Sequence, residues 1–157
     1  MVELMVTLAV LAILLAIAAP QFSSISTGNK LTAKINSLSG DLGYARNEAV
    51  TRNANVTLAA RSGGWADGWD VFIDVNNDGD YDSGTDTLLK VGESIPANIT
   101  ITSSGGNSIV FQSNGSKSNT TVFSLKLCDN NASGRPGKEV SVIVSGQRSL
   151  NIKATCP

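Results

Sequence analysis

The amino-acid sequence predicts an α+β chain in which one long N-terminal helix packs on an antiparallel β-sheet head. Three observations predict it. Residues 4–19 are almost wholly apolar. Leu31, Ile35, Leu38, Leu42, Ala45 and Ala49 then recur at steps of four and three, the spacing of one helix face. From residue 55 onward the pattern changes to short alternating segments bounded by Gly, Asn, Asp and Ser, which is how half-buried strands read.

The helix is expected from near residue 1 to near residue 53. Residues 1–22 form its membrane or filament-core half and residues 23–53 its amphipathic half. A kink is expected at Pro20 and a loosening at Gly28. Lys30, Lys34, Asp41 and Arg46 fill its polar face, and "TRNANV" ends it. Residues 54–157 form the β-rich head. Its strands are read over 55–60, 69–74, 87–91, 98–102, 108–113, 121–127, 139–145 and 148–154, with "SGQ" as a hairpin turn between the last two. Short strands bury little alone, so one or two antiparallel sheets are expected to pack on the amphipathic helix face.

The apolar run opens with a carboxylate, Glu3. A cleaved secretory signal would carry basic residues ahead of the run, and none is present. A simple transmembrane anchor needs about 20 apolar residues, and residues 4–19 fall slightly short. A third reading is a helix that leaves the membrane to pack against similar helices. Only this reading gives Glu3 a task, because an ionised carboxylate in hydrocarbon costs at least about 2.5 kcal/mol unless it is paired. The simplest partner is the N-terminal amine of a neighbouring subunit.

Composition narrows the function classes. The 157 residues suit one domain of ordinary size. Twelve basic and thirteen acidic side chains leave a net charge of -1, so no global field draws the chain to nucleic acid. There is no histidine, which removes the commonest general base and the commonest metal ligand. No Gly-rich phosphate loop or activated serine is present either, and the chain is not expected to be an enzyme. Cys128 and Cys156 lack the close spacing of a zinc or redox site. They read as one disulfide in an oxidising compartment, with two free buried thiols as the alternative.

Three further features are candidates for binding. In "DVNNDGDYDSGTD", Asp74, Asn76, Asp78, Asp80 and Asp82 alternate around Gly79 as the oxygen ligands of a calcium loop would. The twelfth position, where a bidentate carboxylate should close the site, is Thr85, and Asp86 comes one residue late. An Asx- and Gly-rich turn is the simpler reading, and no cofactor is expected beyond calcium there. Trp69 reads as the cover of a core, and Trp65 as either core or partner contact. Residues 131–157 carry Arg135, Lys138, Arg148 and Lys153 against Glu139, so DNA is a candidate partner. No aromatic residue interleaves these charges to stack on bases, and a solvated surface is the simpler reading.

"VELMVTLAVLAILLAIAAPQF" resembles the N-terminal helix of type IV pilins and type II secretion pseudopilins. Glu3 matches the glutamate of that family, and Pro20 matches its helix-kinking proline. "GWADGWDVFIDVNNDGDYDSGTDTLL" and "SIVFQSNGSKSNTTVFSLKLCD" resemble the head of the GspH/FimT family. The resemblance implies a pilin-like fold and a minor type IV pilin, a structural subunit at or near the pilus tip. It implies other minor and major pilins as partners, the inner membrane before assembly with the head in the periplasm, and the cell surface afterwards. It also implies a prepilin peptidase acting on a precursor. Only two residues precede Glu3, so the upstream DNA is expected to encode a basic leader ending in Gly-Phe-Thr. Two alternatives follow from the same resemblance. One is a minor pseudopilin of type II secretion. The other is a DNA-binding minor pilin of natural transformation, for which "GQRSLNIK" keeps Arg148 but lacks the family's paired arginines.

Overall fold

The computed structural model describes residues 2–130 and 136–156, the side chains of residues 17–25 excepted. Helix α1 spans Val2–Arg52. It runs through Gly28 without a break, so the loosening expected there is not seen. It also runs as helix through Pro20, whose side chain lies outside the description, and Arg135 lies outside the described residues. The helix stops where Asn53 takes a left-handed backbone, φ 52°, and the Ala54 amide bonds back to the Ala49 carbonyl at 3.2 Å. This is the usual way an asparagine ends a helix.

By its contacts the chain divides into Met1–Lys30 and Leu31–Pro157. In the second unit eight strands follow the helix: β1 (Val56–Arg61), β2 (Gly64–Ile73), β3 (Thr87–Val91), β4 (Ile99–Ser103), β5 (Ser108–Phe111), β6 (Phe123–Asp129), β7 (Gly137–Val142) and β8 (Arg148–Ala154). They form two four-stranded antiparallel sheets, β3-β2-β1-β5 and β4-β6-β7-β8. The predicted α+β class, with its long helix and antiparallel head, is the class observed.

One core joins these layers. Leu31, Ile35, Leu38, Leu42, Ala45 and Ala49, the six residues of the expected face, are all buried in it. They meet Val56, Leu58, Trp69 and Val71 of the first sheet and Phe123, Leu125, Leu127 and Val140 of the second. Burying apolar area of this kind stabilises by about 25 cal/mol per Å². The expected disulfide joins Cys128 of β6 to Cys156, beyond β8, with Cα atoms 5.9 Å apart.

The polar face of the helix is not left wholly to solvent. Asp41 is buried and accepts hydrogen bonds from Trp69 Nε1 at 2.9 Å and Lys90 Nζ at 2.5 Å. Arg46 donates to the carbonyls of Gly115 at 2.8 Å and Ser145 at 3.2 Å, tying two loops to the helix. Lys34 pairs with Glu93 at 2.7 Å and holds that carboxylate below its usual pKa. The periodicity is right but the buried arc is wider than the apolar stripe, because two sheets rather than one flank the helix.

Trp65, left open above, is core. It is 6% exposed, donates Nε1 to the Gly106 carbonyl at 3.1 Å and packs on Phe123 at 5.8 Å.

Candidate assembly helix and head-domain sites

Every residue from Val2 to Ala16 is exposed in the single chain. Leu4 is 65%, Met5 71% and Ile13 62% exposed. The exposure runs round the whole circumference rather than along one stripe. A helix that is apolar on all sides needs cover on all sides, as a bilayer or a bundle of like helices provides. These residues span about 22 Å at 1.5 Å per residue, against a hydrocarbon core of about 30 Å. Among the described residues no helix is long and apolar enough to cross a membrane. The run continues into residues 17–19, whose side chains lie outside the description.

Glu3 sits in the first turn, also exposed. There its charge is favoured by the positive end of the helix dipole. With the N-terminal half uncovered, its carboxylate faces the same surroundings as Leu4 and Met5. Whatever covers that surface must therefore accommodate one negative charge.

The acidic segment links β2 to β3 and folds back over the outer face of the first sheet. Tyr81 lies on Phe72 with ring centroids 5.4 Å apart, which is what buries Phe72 on a face that alternation would leave open. Asp78 accepts from Asn76 Nδ2 at 2.7 Å and from the Asp80 amide at 2.9 Å. Asp82 accepts from the same Asn76 amide nitrogen at 3.3 Å. Asp86 braces the loop by accepting from the Val75 and Asp82 amides, each at 3.0 Å. Asp74 is buried beneath them. Among the described residues no three acidic, cysteine or histidine side chains stand close enough together to hold a metal ion.

Of the candidate basic residues, Arg148 and Lys153 lie at opposite ends of β8, and Lys138 lies in β7, the strand paired with it. Arg148 turns its guanidinium onto the helix, where Nη1 donates to the Ser39 carbonyl and the side chain lies over Gly43. Lys153 is exposed five residues along β8, about 16 Å away at the usual strand rise. Lys138 is half-buried in β7. Arg135 lies outside the described residues.

Sequence reasoning missed two buried ionisable groups. One is Asp41, whose place on the helix reads as solvated. The other is Lys117, which is 5% exposed and donates Nζ to the Asn119 carbonyl at 2.5 Å. Burial pushes the Lys117 pKa down. No local sequence signal marks Asp41, because its partners Trp69 and Lys90 are distant in the chain.

Residues 34–147 match the family model described as "Type II transport protein GspH". That segment covers well over half of the chain, from the amphipathic helix to the start of β8. The chain belongs to the GspH family. Solved structures agree with this assignment in fold. The type IV minor pilin FimU of Pseudomonas aeruginosa matches in one crystal form with TM-score 0.68 and 21% identity, over 85% of this chain and 96% of FimU. A second crystal form gives 0.64 and 20%, over 80% and 96%. The minor pseudopilin EpsH of the type 2 secretion system of Vibrio cholerae matches with 0.55 and 14%, over 76% and 96%. Comparison with curated protein sequences gives no match. In this GspH-family chain the Trp69–Asp41–Lys90 cluster and the Arg46 clamp both fall inside the matched segment, so the matched segment includes the contacts that join helix to sheets.

Proposed function

We propose that this chain is a minor type IV pilin, a structural subunit with no catalytic role. Before assembly its helix lies in the inner membrane with the head in the periplasm, as a prepilin peptidase product. It then enters a fibre at or near the tip, among other minor and major pilins. The observation that carries this reading is the helix of a GspH-family head whose first fifteen described residues are uncovered all round and apolar but for Thr7 and a single carboxylate, Glu3, at its start. A membrane alone would cover the apolar surface and leave Glu3 a cost. A bundle of like helices covers the surface and supplies a cation for Glu3. The fold likeness to FimU supports the pilus.

A second reading, a minor pseudopilin of type II secretion, is favoured by the description of the matching family and by the likeness to EpsH. Deletion of the gene and complementation with the full-length gene separate the two. The pilin reading expects loss of sheared surface pili, restored by complementation, with exoprotein secretion unchanged. Normal pili with lost secretion would overturn it in favour of the pseudopilin.

A further inference from the structure

Arg46 and Arg148 share one groove between α1 and the β7–β8 hairpin, lined also by Ser39, Gln147 and Leu150. Ser39, Gly43 and Arg46 follow one another at steps of four and three, so they lie on one face of α1. Gly43 leaves the notch in which Arg148 sits: a Cβ there would lie 2.7 Å from Arg148 Cζ. Arg148 Nη1 donates to the Ser39 carbonyl and, at 3.4 Å, to the Ser39 hydroxyl. Arg46 is fixed from the hairpin side, through Nε to the Gly115 carbonyl and through Nη2 to the Ser145 carbonyl.

Both guanidiniums are thus held in place, yet neither meets an opposite charge. Among the described residues, Arg52 and Arg61 pair with the carboxylates of Glu48 and Asp70. The described partners of Arg46 and Arg148 are carbonyls and a hydroxyl, and no acidic side chain lines their groove. A guanidinium carries five N–H donors in a planar fork that matches a carboxylate. Two such groups fixed in one groove raise the local positive potential, and their ordering cost is already met by the fold. An aliphatic strip adjoins them. Leu150 and Ile152 share the Arg148 side of β8 by strand alternation, and they are 45% and 63% exposed.

We propose that this groove receives a carboxylate side chain from an acidic, aliphatic segment of a neighbouring subunit. The inference rests on the fibre-subunit reading for that occupant. The carboxylate sits on the two arginines, and an aliphatic neighbour in the same segment covers Leu150. Nucleic acid fits the groove less well. It would track a row of cations and stack on aromatic side chains, whereas Lys153 stands at the other end of β8 and no aromatic residue lines the groove.

The test uses the purified full chain in detergent, ¹⁵N-labelled at arginine and titrated with the peptide acetyl-Leu-Asp-Leu-amide. The Arg46 and Arg148 Nε–H resonances are expected to move saturably, and acetyl-Leu-Asn-Leu-amide is expected to move them little. Arg148→Gln keeps an N–H donor for the Ser39 carbonyl and should keep the native melting midpoint. It should weaken binding of the aspartate peptide by about fivefold, read at Arg46. Expressed in a deletion strain, the same variant should enter sheared fibres less well than the native chain at equal membrane content. No response to the aspartate peptide, an equal response to the asparagine peptide, or native fibre entry of Arg148→Gln would each overturn the proposal. A stronger response to an oligothymidylate would overturn it in favour of nucleic acid. The peptide comparison on the native chain decides even where the variant folds poorly. It also stands apart from the subunit reading: an unresponsive groove in a chain whose deletion abolishes pili removes this site alone.

Discussion

Trp69→Ala is expected to remove about 3–5 kcal/mol from the stability of the head, a large share of the 5–15 kcal/mol that domains of this kind possess. The indole is fully buried between the helix and the first sheet. Its N–H donates to Asp41 Oδ2 at 2.9 Å, and Lys90 holds the other oxygen at 2.5 Å. Truncation leaves a cavity the size of an aromatic ring system and removes one of the two donors that neutralise a buried carboxylate. Gly92 shows how closely the ring is surrounded: a Cβ there would lie 2.3 Å from Trp69 Nε1. The two contributions separate experimentally. Trp69→Phe keeps most of the packing and loses the donor, so it should cost less, about 1–3 kcal/mol. Urea midpoints of the full chain, read by Trp65 fluorescence, check both. A Trp69→Ala midpoint close to that of the native chain would contradict the assigned role.

Loss of the Cys128–Cys156 disulfide is expected to cost about 3–4 kcal/mol on the chain-entropy model, for a sequence separation of 28 residues. The bond fastens the chain end beyond β8 to β6, in the interior of the second sheet. β8 needs that restraint, since it is an edge strand whose first six residues are all exposed. Gly137 of β7 lies against the bridge, where a Cβ would meet Cys156 Sγ at 2.5 Å and the Leu127 carbonyl at the same distance. The double variant Cys128→Ser/Cys156→Ser avoids stray thiols and should melt lower than the oxidised native chain. Reduction of the native chain should reproduce most of that shift. Equal melting of oxidised and reduced protein would remove the disulfide from the account.

The helix was the most legible part of the sequence because its core contacts are periodic. Six apolar residues at steps of three and four mark a face, and that face is buried. Strands β3 and β8 match their expected ranges, and the other six differ at one or both ends. The first half of β2 was hidden. Residues 64–68 contain two glycines and an aspartate and fall outside the expected strand, yet they extend it beyond a register shift at Ala60/Arg61. Asp41 and Arg46 read as solvated because hydrophobic periodicity marks apolar burial only. Their partners, Trp69, Lys90, Gly115 and Ser145, lie 28 or more residues away and declare nothing locally. Among the basic residues of the C-terminal region, Arg148 is drawn to the helix, a contact 109 residues away that no local pattern marks. Glu3 was the reverse case. A charge opening an apolar run is visible in one line of sequence, but the role proposed for it involves neighbouring helices, which a single chain does not show.

The central claim is that Glu3 acts in helix packing within a fibre rather than in membrane retention. The measurement that tests it most directly is the distribution of Glu3→Ala between the membrane fraction and sheared fibres, in a deletion strain expressing that variant. Removing the carboxylate makes the N-terminal segment more apolar, so membrane content should equal that of the native chain. Incorporation into sheared fibres should fall by about tenfold, the factor set by about 1.4 kcal/mol of lost pairing. Native incorporation of Glu3→Ala into fibres, at equal membrane content, would contradict the account.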